Sequence, residues 1–193
     1  RCSRDWSSDV CSSDLAIARC GVGGIVRTMK RVFLLSWFCV LMAVASAAPA
    51  ALEADVAQAI QSKRITIVHF WAPWCPNCKM ELTTGGWSSF IAANPNVDFI
   101  FLTLWSDQSG DGRALLAQHG VKPQSNVRLL AHPNTSRKSE DRVKEFLGLP
   151  LTWLPATWVF REGKLLYLVN YGELRFSMLQ QLVRDAGESW DRD

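Results

Sequence analysis

Cys75 and Cys78 stand two residues apart in HFWAPWCPNCKME, residues 69–81. Thiols at this spacing suit three kinds of chemistry: half of a zinc site, a small structural disulfide, or a redox couple. A structural zinc takes four ligands, commonly two such pairs or one pair with two histidines. His69, His119 and His132 are scattered along the chain, so a metal is not expected. A purely structural disulfide closing so small a loop adds little chain entropy. The redox reading accounts for the neighbours. The apolar run ITIVHFWA leads into the pair, and Pro76 suits the first position of a helix, where its missing N–H costs nothing. Cys75 then faces unpaired backbone N–H groups and the positive end of the helix dipole, which favour its thiolate. Cys78 lies about one turn further along the same face, placed to close or resolve a disulfide with Cys75.

Two further side chains belong to this candidate chemistry. Glu81 follows Cys78 by three residues, where a carboxylate can take or return a proton; burial would move its pKa toward neutrality. A solvated helix glutamate is the plainer alternative. His69 precedes Cys75 by six residues on the apolar run and is a possible proton relay. Its plainer alternative is a hydrogen-bonded core histidine.

These residues need elements to hold them. LEADVAQAIQSKR (52–64) carries Leu52, Val56 and Ile60 at helical spacing, and residues 65–72 read as a buried strand. A helix is expected from Pro76, broken near Gly85-Gly86 and resumed in WSSFIAAN. Residues 97–105 read as a second buried strand, 112–120 as a short helix and NVRLLAH as a weak strand. SEDRVKEFLG (139–148) reads as a helix from a capping Ser139 to Gly148. Residues 157–172 read as a hairpin turning at Arg161-Glu162-Gly163-Lys164, and 173–186 as a closing helix with Leu174, Met178 and Leu182 on one face. HPNTSRKSE (132–140) is the expected flexible loop. The order predicts an α/β domain with a mixed sheet covered on both faces.

The other four cysteines, Cys2, Cys11, Cys20 and Cys39, lie in the first 40 residues. Met29-Lys30-Arg31, an apolar run of 13 residues from Val32 to Val44, and Ala45-Ser46-Ala47 have the form of a secretory signal peptide over 29–47. The run is shorter than the ~20 residues of a membrane span, so a membrane association is expected only if the segment is retained as an anchor. RDWSSDVCSSDL resembles the translation of a sequencing adapter, and residues 1–28 are read as non-native sequence. Residues 48–193 are left as one domain, carrying 15 Lys+Arg and 15 Asp+Glu. That balance argues against nucleic acid as a partner. The domain keeps one cysteine pair, in an exported compartment where disulfides persist.

FWAPWCPNCK resembles the active-site strand and turn of the thioredoxin superfamily. CPNCKMEL together with LPATWVFREGKLL resembles the exported TlpA/ResA-like thiol–disulfide reductases, across residues 52–186. The resemblance implies a thioredoxin-like fold, with Cys75 attacking and Cys78 resolving. It implies a cis peptide before Pro155 facing the pair, with Leu154 in a place where relatives often carry threonine or another small residue. It implies proton handling by Glu81, and substrate contacts from Trp74, Pro76 and Leu154. At the place of His69, thioredoxins hold a buried acid and TlpA-like relatives often an amide. Trp71, Trp105, Trp153 and Trp158 are expected in the core or lining a groove.

The function implied is an exported, periplasmic thiol–disulfide oxidoreductase with no cofactor. Its partners would be protein disulfides, apocytochrome c among the possible clients, and a membrane thiol–disulfide electron donor. Pro76-Asn77 lacks the histidine of strongly oxidising pairs, which favours a reductase. A disulfide oxidase or isomerase remains the alternative, as does a copper-binding chaperone on the same fold, since soft thiolates suit Cu(I).

Overall fold

The computed structural model describes residues 47–83, 86–169 and 174–188. The expected leader and the segment before it lie outside these residues, apart from Ala47. Helix α1 (Ala47–Ala59) leads through a turn into β1 (Thr66–Trp71). Helix α2 (Pro76–Thr83) carries the cysteine pair, and α3 (Gly86–Ala93) follows it. Strand β2 (Asp98–Thr103), a short 3₁₀ turn (Asp107–Ser109), α4 (Arg113–Gln118) and β3 (Val127–Ala131) come next. A two-stranded ribbon, β4 (Glu145–Phe146) with β5 (Leu149–Pro150), precedes β6 (Ala156–Arg161), β7 (Lys164–Val169) and α5 (Phe176–Gly187).

The five main strands form one mixed sheet in the order β3-β2-β1-β6-β7. β1 runs parallel to β2 and antiparallel to β6. Every residue of β1 is buried. Successive side chains point to opposite faces, so both faces are covered at the centre of the sheet. This is why Thr66–Trp71 is apolar almost throughout rather than alternating. The strand delivers the chain from the core directly to Cys75.

Two expectations are corrected. Residues 139–148 do not form a helix: residues 139–141 turn, and the β4–β5 ribbon follows. Leu147 and Gly148 have φ of 51° and 71°, the double left-handed geometry of a two-residue hairpin turn. Gly148 is therefore a turn residue, not the end of a helix. The ribbon gains by burying Phe146, whose ring lies 5.4 Å from that of Phe70. The closing helix buries Leu179, Val183 and Ala186, at spacings of four and three, whereas Met178 is exposed. Leu174 is buried but precedes the helix.

The other elements follow the sequence in type and order, though the first helix spans Ala47–Ala59 rather than 52–64. Glu162 and Gly163, φ 52° and 75°, turn the β6–β7 hairpin. The segment 132–140 has no regular structure apart from turn residues at its end, and the Asn134 main-chain amide donates to His132 Nδ1 at 3.0 Å there.

Candidate active site

Cys75 immediately precedes α2 and is joined to Cys78 by a disulfide, with Cα atoms 5.3 Å apart. The Lys79 amide donates to the Cys75 carbonyl at 3.1 Å, which starts the helix. The Cys78 amide, one of the donors without a helical partner, points at Cys75 Sγ at 3.3 Å. Sulfur here takes the role of a capping oxygen. A negative charge on Cys75 gains from this contact and from the helix dipole. Both cysteines are buried, Cys75 at 4% and Cys78 at 1% exposure.

Opposite the pair, the Leu154–Pro155 peptide is cis, as the family resemblance implies. The Leu154 carbonyl oxygen lies 3.7 Å from Cys75 Sγ. Leu154, Trp74, Pro76 and the exposed Trp153 share a groove of about 400 Å³ that opens onto Cys75. Trp74 donates from Nε1 to the Trp105 carbonyl, which fixes its indole beside the disulfide. Trp105 also lines the groove, while Trp71 and Trp158 are core residues.

Glu81 is 1% exposed, so the structure removes the solvated alternative. Its Oε2 accepts from Trp87 Nε1 at 3.0 Å, and its Oε1 accepts from the Leu174 amide at 2.9 Å. These donors favour a charged carboxylate, against the cost of burial. His69 Nε2 is 3.5 Å from Glu81 Oε2, and His69 Nδ1 is 3.0 Å from Thr157 Oγ1. Burial lowers the His69 pKa from 6.5 to about 3. The histidine is therefore neutral near pH 7, and its approach to Glu81 is a long polar contact rather than an ion pair. His69 is both a hydrogen-bonded core histidine and a direct neighbour of Glu81.

Three partners of this network were not apparent from sequence. Thr157 faces His69 directly across the β1–β6 pairing. Its signal is a polar residue inside an otherwise apolar strand, but pairing it with His69 requires the strand register. Trp87 reads as another core aromatic, and its ring stacks obliquely on His69 with centroids 4.4 Å apart. The Leu174 amide carries no side-chain signal at all.

Two arginines also reach the groove side of the molecule. Arg137 lies over the Trp74 ring at 3.9 Å, and Arg142 over the Trp105 ring at 4.6 Å.

A family model described as a thioredoxin-like domain matches residues 52–187. No curated protein matches the chain significantly. Solved structures do. A secreted Mycobacterium tuberculosis disulfide oxidoreductase homologous to Escherichia coli DsbE is 21% identical, with a TM-score of 0.47, over 66% of this chain and 85% of that one. A DsbF homologue from Corynebacterium diphtheriae is 12% identical, with a TM-score of 0.48, over 66% and 74%. A thiol:disulfide interchange protein of Chlorobium tepidum is 18% identical, with a TM-score of 0.47, over 66% and 83%.

Proposed function

The chain belongs to the thioredoxin-like domain family, and from that premise we propose that it is an exported thiol–disulfide oxidoreductase that reduces disulfides in other proteins. The observation that carries the reading is the Cys75–Cys78 bond at the start of α2, with the Cys78 amide directed at Cys75 Sγ and the Leu154 carbonyl opposite. Export rests on the signal-like segment 29–47 and puts the protein in the periplasm.

In the reduced protein, the Cys75 thiolate attacks one sulfur of a client disulfide. A mixed disulfide forms at Cys75, and the other client sulfur leaves as a thiolate. Cys78 then loses its proton and attacks Cys75 Sγ. The second client thiolate departs, the Cys75–Cys78 disulfide is left, and two electrons have passed to the client. A membrane dithiol donor would restore the reduced pair.

Cys78 is the more deeply buried sulfur, so its proton needs an acceptor inside the protein. Glu81 stands one helical turn beyond it on α2 and is the acceptor we assign. Neutral His69 supports it through either tautomer. With its proton on Nε2, His69 donates toward Glu81 while the Thr157 hydroxyl donates to Nδ1. With its proton on Nδ1, it donates to Thr157, and Nε2 accepts from a protonated Glu81. The proton is thus accommodated without placing a cation in the core. Trp74, Pro76 and Leu154 form the client-facing wall, with the Leu154 carbonyl beside the attacking sulfur.

The direction of electron flow is tested by the reduction potential of the pair. A value near −270 mV, that of thioredoxin, supports reduction; a value above roughly −150 mV refutes it in favour of an oxidase. Clients are tested with Cys78→Ala, which leaves the mixed disulfide at Cys75 unresolved. Disulfide-linked client proteins are expected to accumulate on the variant in a periplasmic extract. Their absence would count against a dithiol role.

A further inference from the structure

Among the described residues, Arg64, Arg113 and Arg128 each pair with a carboxylate, and Arg161 donates to main-chain carbonyls. Arg142 differs. Among the described residues it has no ion pair, and its Nε is buried without a hydrogen-bond partner. Among the described residues it is also the one charged residue lining the groove at Cys75, and its guanidinium carbon lies 4.6 Å from the Trp105 ring centroid. Arg137, likewise without an ion pair, lies over Trp74 on the same disulfide-flanking wall.

A guanidinium held against an indole keeps its N–H groups in one plane, directed past the ring edge. Such a fork takes a carboxylate bidentately, and the pair is strengthened where one partner is already part-desolvated. The groove has one cationic donor group and apolar indole surface, and no acidic side chain lines it among the described residues. Its charge complement is an anionic strand.

We propose that the groove selects client segments that carry an Asp or Glu close to the disulfide, the carboxylate pairing with Arg142 and with Arg137 at the rim, while the client cysteine meets Cys75. This rests on the thiol–disulfide reading above and names its substrate class. An extended peptide seated between Trp74 and the exposed Trp153 brings its sulfur to the opening beside the Leu154 carbonyl. Its neighbouring side chains then fall along the Arg142 wall.

The test is single-turnover reduction of three synthetic disulfide-linked peptides by the pre-reduced protein. The peptides differ only in carrying Glu, Gln or Lys beside the cysteine. Rates are expected in the order Glu, Gln, Lys, with about a fivefold to tenfold span at low ionic strength, the scale of one part-buried charge-assisted pair. At 1 M salt, where the screening length falls to about 3 Å, the span should contract to about twofold. Arg142→Gln should bring the Glu-to-Gln ratio close to one. Arg64→Gln, the same charge change at the far end of β1, should leave that ratio intact. Equal rates for all three peptides, a preference for Lys, or an Arg142→Gln variant that retains the ratio would overturn the proposal while leaving thiol–disulfide exchange standing. Failure to reduce any peptide would overturn the exchange reading as well.

Discussion

Acid should destabilise this protein through His69, and the size of the effect follows from its burial. The folded-state pKa is about 3, against 6.5 for an exposed histidine. The unfolded chain therefore binds a proton below pH 6.5 that the folded protein refuses until about pH 3. Stability linked to His69 is present above pH 6.5 and is lost as the pH falls through that window. Between pH 7 and pH 5 the loss comes to about 2 kcal/mol, using ~1.36 kcal/mol per pH unit below the unfolded pKa. For a chain of this size that is a fall of roughly 4–8 °C in melting temperature. The comparison protein is His69→Gln, whose amide can bond Thr157 and Glu81 but does not titrate. Denaturant unfolding of the oxidised forms at pH 7, 6 and 5 is the assay. His119, His132 and Glu81 are common to both proteins, so the difference in slope isolates His69 and its coupling to Glu81. The wild type should lose about 2 kcal/mol more than the variant. Parallel pH dependences would refute the argument that His69 stays neutral in the fold.

Two more outcomes test the site and its support. Glu81→Gln keeps one carbonyl acceptor but no proton-accepting carboxylate; the resolution step should slow by about 10²-fold, measured as decay of a mixed disulfide formed at Cys75, and an unchanged rate would remove Glu81 from the mechanism. Gly86→Ala gains up to ~1 kcal/mol in helix propensity, yet its Cβ would stand 1.9 Å from the Phe176 ring; overpacking of ~1–3 kcal/mol should prevail, and a more stable variant by denaturant unfolding would show that the ring moves freely.

The legible parts of the fold were those set by local chemistry. The cysteine spacing, the Pro76 helix start and the Glu162-Gly163 turn each depend on a few adjacent residues. The apolar run of β1 states its own burial. The 139–148 segment misled because Ser139 and Gly148 have the types of helix caps, while the deciding event, burial of Phe146 against Phe70, is remote in sequence. Met178 and Leu179 show the same limit: both are apolar, and only packing against the sheet selects Leu179. In the site, Cys75, Cys78 and Glu81 could be picked out by type and spacing, and Pro155 by the family resemblance of LPATWVF. Thr157 could not be joined to His69 without the β1–β6 register, and the Leu174 amide is invisible to any reading of side chains. Arg137 and Arg142 sit in a segment whose path no periodicity describes.

The bond from the Leu174 amide to Glu81 spans 93 positions of chain. During synthesis, the two thiols emerge long before the residue that secures the carboxylate beside them. A chain that ends before Leu174 carries both thiols but lacks the Leu174 bond to Glu81 and the Phe176 ring packed on Trp87. The last segment to arrive thus completes the surroundings of the proposed proton acceptor. On that proposal, competence for the second half of the exchange matures later than competence for the first, and an unfinished chain would be left holding its partner.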